Sequence, residues 1–182
     1  WMLMTATLAL FRREARTSGS PAALLQRLNG IVAETLQGRM YVTMGIGSWE
    51  PASSEWRYAS AGHVTPMLVR RGKAEEYPAM PSLPLGIDLE EEYEETVARL
   101  LEGDALLLYT DGIVEAPAED GGLFGFERLE RALERLPETG SASEALRLLI
   151  ERLPPEGEGR FDDDRTMVLL KYVGEGANRV AG

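Results

Sequence analysis

Two groups of carboxylates stand where apolar segments end. Asp111 follows the run Leu106–Tyr109 in "LLLYTDGIVEA", and Asp162, Asp163 and Asp164 come just before "RTMVLLKY". Loops at strand ends are where a rigid scaffold commonly carries its chemistry. Three successive aspartates repel one another, so the run is favourable only when solvated, hydrogen-bonded or neutralised by a cation. Gly112 lets backbone or water approach closely beside Asp111. Each feature also has a plain reading: Asp-Gly after a strand makes an ordinary turn, and a triple Asp makes a solvated loop or a cap. The residues alone leave both open, turn chemistry and a Mg²⁺ or Mn²⁺ site.

Composition narrows what such a site could hold. The chain has no Cys and a single His, His63, which excludes thiolate sites and a multi-histidine zinc cage. Any cation would be held by oxygen. With 30 acidic against 19 basic residues the net charge is −11, which disfavours general nucleic-acid binding. No apolar run approaches the ~20 residues needed to cross a bilayer. The start "WMLMTATLALF" has no basic residues before it and is a poor signal peptide.

The elements that would position these acids read as follows. Residues 2–16 carry helix formers, with Leu3, Leu8, Leu10 and Phe11 at helical spacing and Arg12, Arg13 and Arg16 late, where cations suit a helix C-terminus. Ser20-Pro21 reads as cap and first residue of a second helix ending near Gln37, striped by Leu24, Leu25, Leu28, Ile31, Val32 and Leu36. Then the period changes. Strands are expected over 40–49 and 55–62, a hairpin around Gly72, an irregular loop over 80–87, and strands over 93–100 and 104–110. Helices over 124–136 and 141–153 follow, the second capped by Ser141 or Ser143, then a loop, a strand over 166–173 and a flexible tail, 174–182. This order argues for one α+β layered domain with mostly antiparallel sheet.

The stretches "YASAGHVTPMLVRRG", "LPLGI", "LLEGDALLLYTDGIVEA", "GLFGFERL" and "FDDDRTMVLL" occur in the order found in bacterial PPM-type serine/threonine phosphatases of the SpoIIE and RsbU group. Singly, "TDG" and "DDRT" are weak; the ordered set is specific. The resemblance covers about residues 2–173, within a phosphatase domain expected over 1–173, and implies an α-β-β-α sandwich of two mostly antiparallel sheets with flanking helices. It further implies two Mn²⁺ or Mg²⁺ ions held by aspartates, and a water that attacks phosphorus in line. By position, Asp111 and Asp163 match metal-ligand aspartates. Asp164 takes the place of a polar residue that orients bound water, and Asp162 is read as solvated. The expected substrate is a phosphoserine or phosphothreonine on a regulatory protein of the anti-sigma-factor-antagonist type, in a cytoplasmic partner-switching pathway.

The family also has an earlier strand pair with a Gly-Asp motif that bridges both metals, and a second Asp-bearing strand. Neither is matched here: the resemblance starts in "MLMTATLALFRREA", so it spans the C-terminal two thirds of the domain, and residue 1 is Trp rather than Met. The rival expectation is therefore a phosphatase-like binding module, or a truncated domain, without a complete metal site. Among other residues, His63 is read as structural, shaping a turn through ring hydrogen bonds, with a general acid as the alternative. Arg165 is read as an ion-pair partner of the acidic loop, with phosphate binding as the alternative. The acidic run 88–95 is a solvated strand approach. The N-terminal helices are core, or the interface of a homodimer.

Overall fold

The structure is a computed structural model that describes residues 2–36, 39–118, 120–155 and 164–174. Among the described residues all strand pairs are antiparallel, in two sheets with flanking helices. One has three strands in the order Met44–Glu50, Glu55–Ala61, Glu95–Arg99, and one has four in the order Lys73–Glu76, Met67–Arg70, Ala105–Tyr109, Met167–Lys171. This is the α+β arrangement expected. The chain divides into two compact units, residues 1–63 with 78–99, and residues 64–77 with 100–182.

The first unit holds α1 (Met2–Glu14), α2 (Pro21–Leu36), β1 (Met44–Glu50), β2 (Glu55–Ala61) and β5 (Glu95–Arg99). Ser20 caps α2 as its sequence predicts, its Oγ accepting the Ala23 N–H at 3.3 Å. The apolar stripe of α2 is buried through Leu24, Leu25, Leu28 and Val32, packed with Ile46, Ala59 and Ala61 of the sheet. Each of the Leu, Ile and Val side chains contributes about 1.5–3 kcal/mol on burial. Asn29, also buried, donates to the Asp88 carbonyl at 2.7 Å and accepts the Gly86 N–H at 2.8 Å, and Gln26 donates to the Glu91 carbonyl at 2.9 Å. These bonds fix the path of the acidic run as loop before β5.

On the other face of β1, the glycines do packing work. A Cβ on Gly47 would stand 2.0 Å from the Trp56 ring, and one on Gly45 would stand 2.4 Å from the Tyr58 hydroxyl oxygen. The rings of β2 occupy the space side chains would need, a common way to protect glycines within a sheet.

The second unit holds β3 (Met67–Arg70), β4 (Lys73–Glu76), β6 (Ala105–Tyr109), a short 3₁₀ turn (Asp111–Ile113), α3 (Gly125–Glu134), α4 (Ala142–Ile150) and β7 (Met167–Lys171). The β3–β4 hairpin turns at Arg71 and Gly72, whose φ values of 51° and 71° suit a two-residue hairpin turn. Met67, Leu107, Tyr109 and Leu169 line one face of the sheet and pack with Leu129, Leu133, Ala145 and Leu149 of the helices. Ser141 caps α4 through a reciprocal bond pair with Glu144, whose carboxyl is held below its ordinary range by the Ser141 backbone and hydroxyl.

Element existence matches expectation more closely than element edges. The strand expected from residue 40 begins at Met44, because residues 40–43 are held apart by a single bridge, Val42 to Leu85, with Met40 and Tyr41 exposed. The last strand is shorter at both ends than 166–173, and Ser141, not Ser143, is the cap. Most of the expected tail, residues 175–182, lies outside the described residues.

Candidate functional site

β6 carries an acid at each end, and the two are built differently. At its start, Asp104 is buried, and its carboxylate accepts from Arg70 Nε at 3.0 Å, Arg70 Nη2 at 2.6 Å and the Leu101 N–H at 2.7 Å. It is a fully partnered structural acid. A cavity of about 180 Å³ opens beside it, floored by Val69, Ala145 and Leu169. The Lys171 ammonium at its margin is committed to the carbonyls of Glu138 and Gly140, at 2.5 and 3.1 Å.

At the far end of β6 the backbone does something else. Leu106, Leu107 and Tyr109 are buried, and so are Ile113 and Val114 just beyond. Between two buried segments the chain must turn at once, and it does so in the 3₁₀ turn, closed by the Ile113 N–H donating to the Thr110 carbonyl at 3.1 Å. The turn pulls the apolar residues inward and leaves the Asp111 carboxylate exposed. Its Oδ1 accepts the Gly112 N–H at 3.1 Å. Gly112 itself is buried, consistent with a residue chosen for close backbone approach.

The same end of the sheet receives the start of β7. Beyond the last paired residues, Tyr109 and Met167, the Thr110 N–H donates to the Thr166 carbonyl at 3.1 Å. The Thr110 hydroxyl donates to the Asp164 carbonyl at 2.7 Å and accepts the Thr166 N–H at 2.9 Å. The residues that carry Asp111 and Asp164 are thereby tied together. Asp164 is exposed, whereas Asp162 and Asp163 lie outside the described residues. Among the described residues no three acidic or His side chains converge as a complete cation cage. An exposed carboxylate beside a tethered acidic segment, with neither Cys nor clustered His, fits a hard divalent cation in donor chemistry.

Arg165 is half-buried, and its Nη1 donates to the carbonyls of Pro154 and Pro155 at 2.9 and 3.4 Å. The ion pair expected for it involves the acidic loop, whose residues 156–163 lie outside the described residues. In the other unit, the turn at His63 is shaped by Ser60 instead of by ring bonds alone. The Ser60 hydroxyl accepts the His63 N–H at 3.1 Å and donates to the His63 carbonyl at 3.2 Å, with Gly62 at a φ of 63°. The His63 ring lies against Gly45 of β1. Thr110 was missed as a site residue, although a Thr at the end of each of the two paired strands, in "YTDG" and "DRTM", was the available signal.

Known proteins resemble this chain in sequence and fold. The family model described as Stage II sporulation protein E (SpoIIE) matches residues 1–173. The phosphoserine phosphatase RsbU of Bacillus subtilis is 28% identical over 155 residues, which are 83% of this chain and 45% of RsbU. The chain thus spans a little under half of that relative's length. Among solved structures, the SiaA-PP2C domain of Pseudomonas aeruginosa aligns with a TM-score of 0.75 at 20% identity, over 94% of this chain and 69% of that one. The phosphatase domain of the cell fate determinant SpoIIE from Bacillus subtilis, presoaked with Mn, aligns with a TM-score of 0.64 at 21% identity, over 92% and 72%. These likenesses are likenesses of fold.

Proposed function

The chain belongs to the SpoIIE family, and we propose that it carries out metal-dependent hydrolysis of phosphoserine or phosphothreonine on a regulatory protein. The observation that carries this reading is the pairing of Asp111 with the segment entering β7, through Thr110, at one end of β6. Phosphatase chemistry needs negative donors on a rigid frame, and the Thr110 bonds tie together the segments that carry Asp111 and Asp164. The phosphoserine phosphatase RsbU and the Mn-presoaked SpoIIE domain support the activity and the class of cation.

Asp111 and Asp163 would hold Mn²⁺ or Mg²⁺, two ions being expected in a complete domain. Bound there, the cations would neutralise the phosphate monoester dianion and lower the pKa of an attacking water. Asp111 contributes an exposed oxygen donor fixed by the turn beneath it. Asp164, next in sequence to Asp163, would hold and orient a water. Arg165 would pair with the acidic loop, its Nη1 also bonded to the carbonyls of Pro154 and Pro155. The substrate is a phosphorylated anti-sigma-factor-antagonist type of protein in a partner-switching pathway, acted on in the cytoplasm by residues 1–173 as one phosphatase domain. A homodimer would form through the N-terminal helices. No helix among the described residues is long and apolar enough to cross a membrane.

The test is phosphate release from a phosphoserine-bearing protein of that type, with Mn²⁺ and after chelation, in the chain and its Asp163→Asn variant. Release that needs Mn²⁺ and falls in the variant supports the reading. Binding of the phosphoprotein with no release under either condition favours a phosphatase-like binding module instead.

A further inference from the structure

At Thr110 the β6–β7 ladder is continued by a side chain. One rung past Tyr109 and Met167, regular antiparallel pairing would have Thr110 and Thr166 exchange two backbone bonds. Only one of the two is a backbone bond, Thr110 N–H to the Thr166 carbonyl. The Thr110 carbonyl, which the second would need, accepts the Ile113 N–H instead and closes the 3₁₀ turn that turns Asp111 outward. The Thr110 hydroxyl takes its place, accepting the Thr166 N–H at 2.9 Å. Its one proton goes to the Asp164 carbonyl at 2.7 Å, so the hydroxyl both donates and accepts.

This substitution resolves a geometric conflict. A strand that turns immediately after its last pair normally gives up its hold on the neighbouring strand. Here the chain turns at Asp111 and still holds residues 164–166, because the hydroxyl can reach where the carbonyl no longer points. We propose that Thr110 is a positioning residue of the site, its hydroxyl setting the separation of Asp111 from Asp164 and the start of β7, and thereby the affinity for a divalent cation. The inference rests on the metal reading above. A cation held by both segments requires their separation to stay fixed, and groups that orient ligands in this way affect metal affinity strongly.

Thr110→Val keeps the shape and removes both hydroxyl bonds; Thr110→Ser keeps the hydroxyl. Mn²⁺ affinity of the whole chain, followed by the electron paramagnetic resonance signal of the free ion, separates them. The expected result is a loss of roughly 10–100-fold in Thr110→Val, the range usual for groups that orient metal ligands. Thr110→Ser should bind nearly as wild type, and circular dichroism should find both variants folded without metal. Equal affinity in wild type and folded Thr110→Val overturns the inference and leaves the metal reading standing. A loss in Thr110→Ser as large as in Thr110→Val also overturns it, since the hydroxyl is then not the cause. Wild type that takes up no Mn²⁺ overturns the metal reading and the inference with it.

Discussion

Asp104 and Asp111 flank the same five-residue strand and share a residue type, yet the fold uses them in opposite ways. Asp104 is buried with two donors from Arg70 and one from the Leu101 backbone. Asp111 is exposed, with its Oδ1 bonded only to the neighbouring Gly112 N–H among the described residues. A buried carboxylate needs its partners to exist at all, and once partnered it has no capacity left for a ligand. An exposed carboxylate on a fixed turn costs little in the folded state and keeps its oxygens available. Burial and partnering, more than residue type, separate an acid that holds the fold from one able to do chemistry.

Four predictions sharpen or break that comparison. The largest effect belongs to Asp111→Asn, which should lower Mn²⁺-dependent hydrolysis at least ~100-fold, because metal assistance supplies several kcal/mol to the transition state. Its unfolding temperature without metal should stay near that of wild type, as measured by circular dichroism. Asp104→Ala should behave in reverse. Loss of one partner of a buried pair costs about 3–5 kcal/mol, and because a third of the Arg70 side chain is exposed about 2–4 kcal/mol is expected. That corresponds to a fall of roughly 5–15 °C in Tm, with turnover per folded molecule preserved.

A double-mutant cycle on the same pair should yield a smaller signal. Arg70→Met combined with Asp104→Ala should be less destabilising than the two single changes added together, by about 1–3 kcal/mol in denaturant titrations. Strict additivity would mean that Asp104 stabilises through the Leu101 N–H alone.

The smallest effect lies in the other unit and serves as a control on pH. Burial pushes the Tyr58 phenol up to about 12, from an ordinary 10.0. A raised value means that the folded state favours the neutral phenol. Its contribution is therefore complete below pH 10 and lost as the pH rises through about 12. Tyr93, also pushed up to about 12 and mainly by burial, adds in the same direction. Alkaline unfolding of Tyr58→Phe should be less steep in pH than that of wild type, whereas Asp111→Asn should leave the slope unchanged.

Much of this arrangement was legible in the sequence because it is local. Ser20 and Ser141 announce helix starts, Arg71-Gly72 lies at a hairpin, and the alternation or continuity of apolar residues marks β2, β5 and β6. The ordered motifs placed Asp111 at a strand end, where the structure has it. The rest depends on contacts distant along the chain. Nothing near "LEGD" reveals that Asp104 meets Arg70, 34 residues earlier, so that segment reads as a turn and no more. The glycines of β1 give no hint that Trp56 and Tyr58 fill their space. The role of the Thr110 hydroxyl depends on a partner 54 residues away. Strand edges blur for a related reason: Met40 and Tyr41 are apolar enough to read as strand, but the neighbouring pairing is a single bridge to Leu85.

The measurement that bears most directly on the account is hydrolysis of p-nitrophenyl phosphate at saturating Mn²⁺ by the chain, by Asp111→Asn and by Asp104→Ala, each corrected for the folded fraction. Mn²⁺-dependent activity is expected in wild type and Asp104→Ala, and its loss in a fully folded Asp111→Asn. Undiminished activity in Asp111→Asn would contradict it.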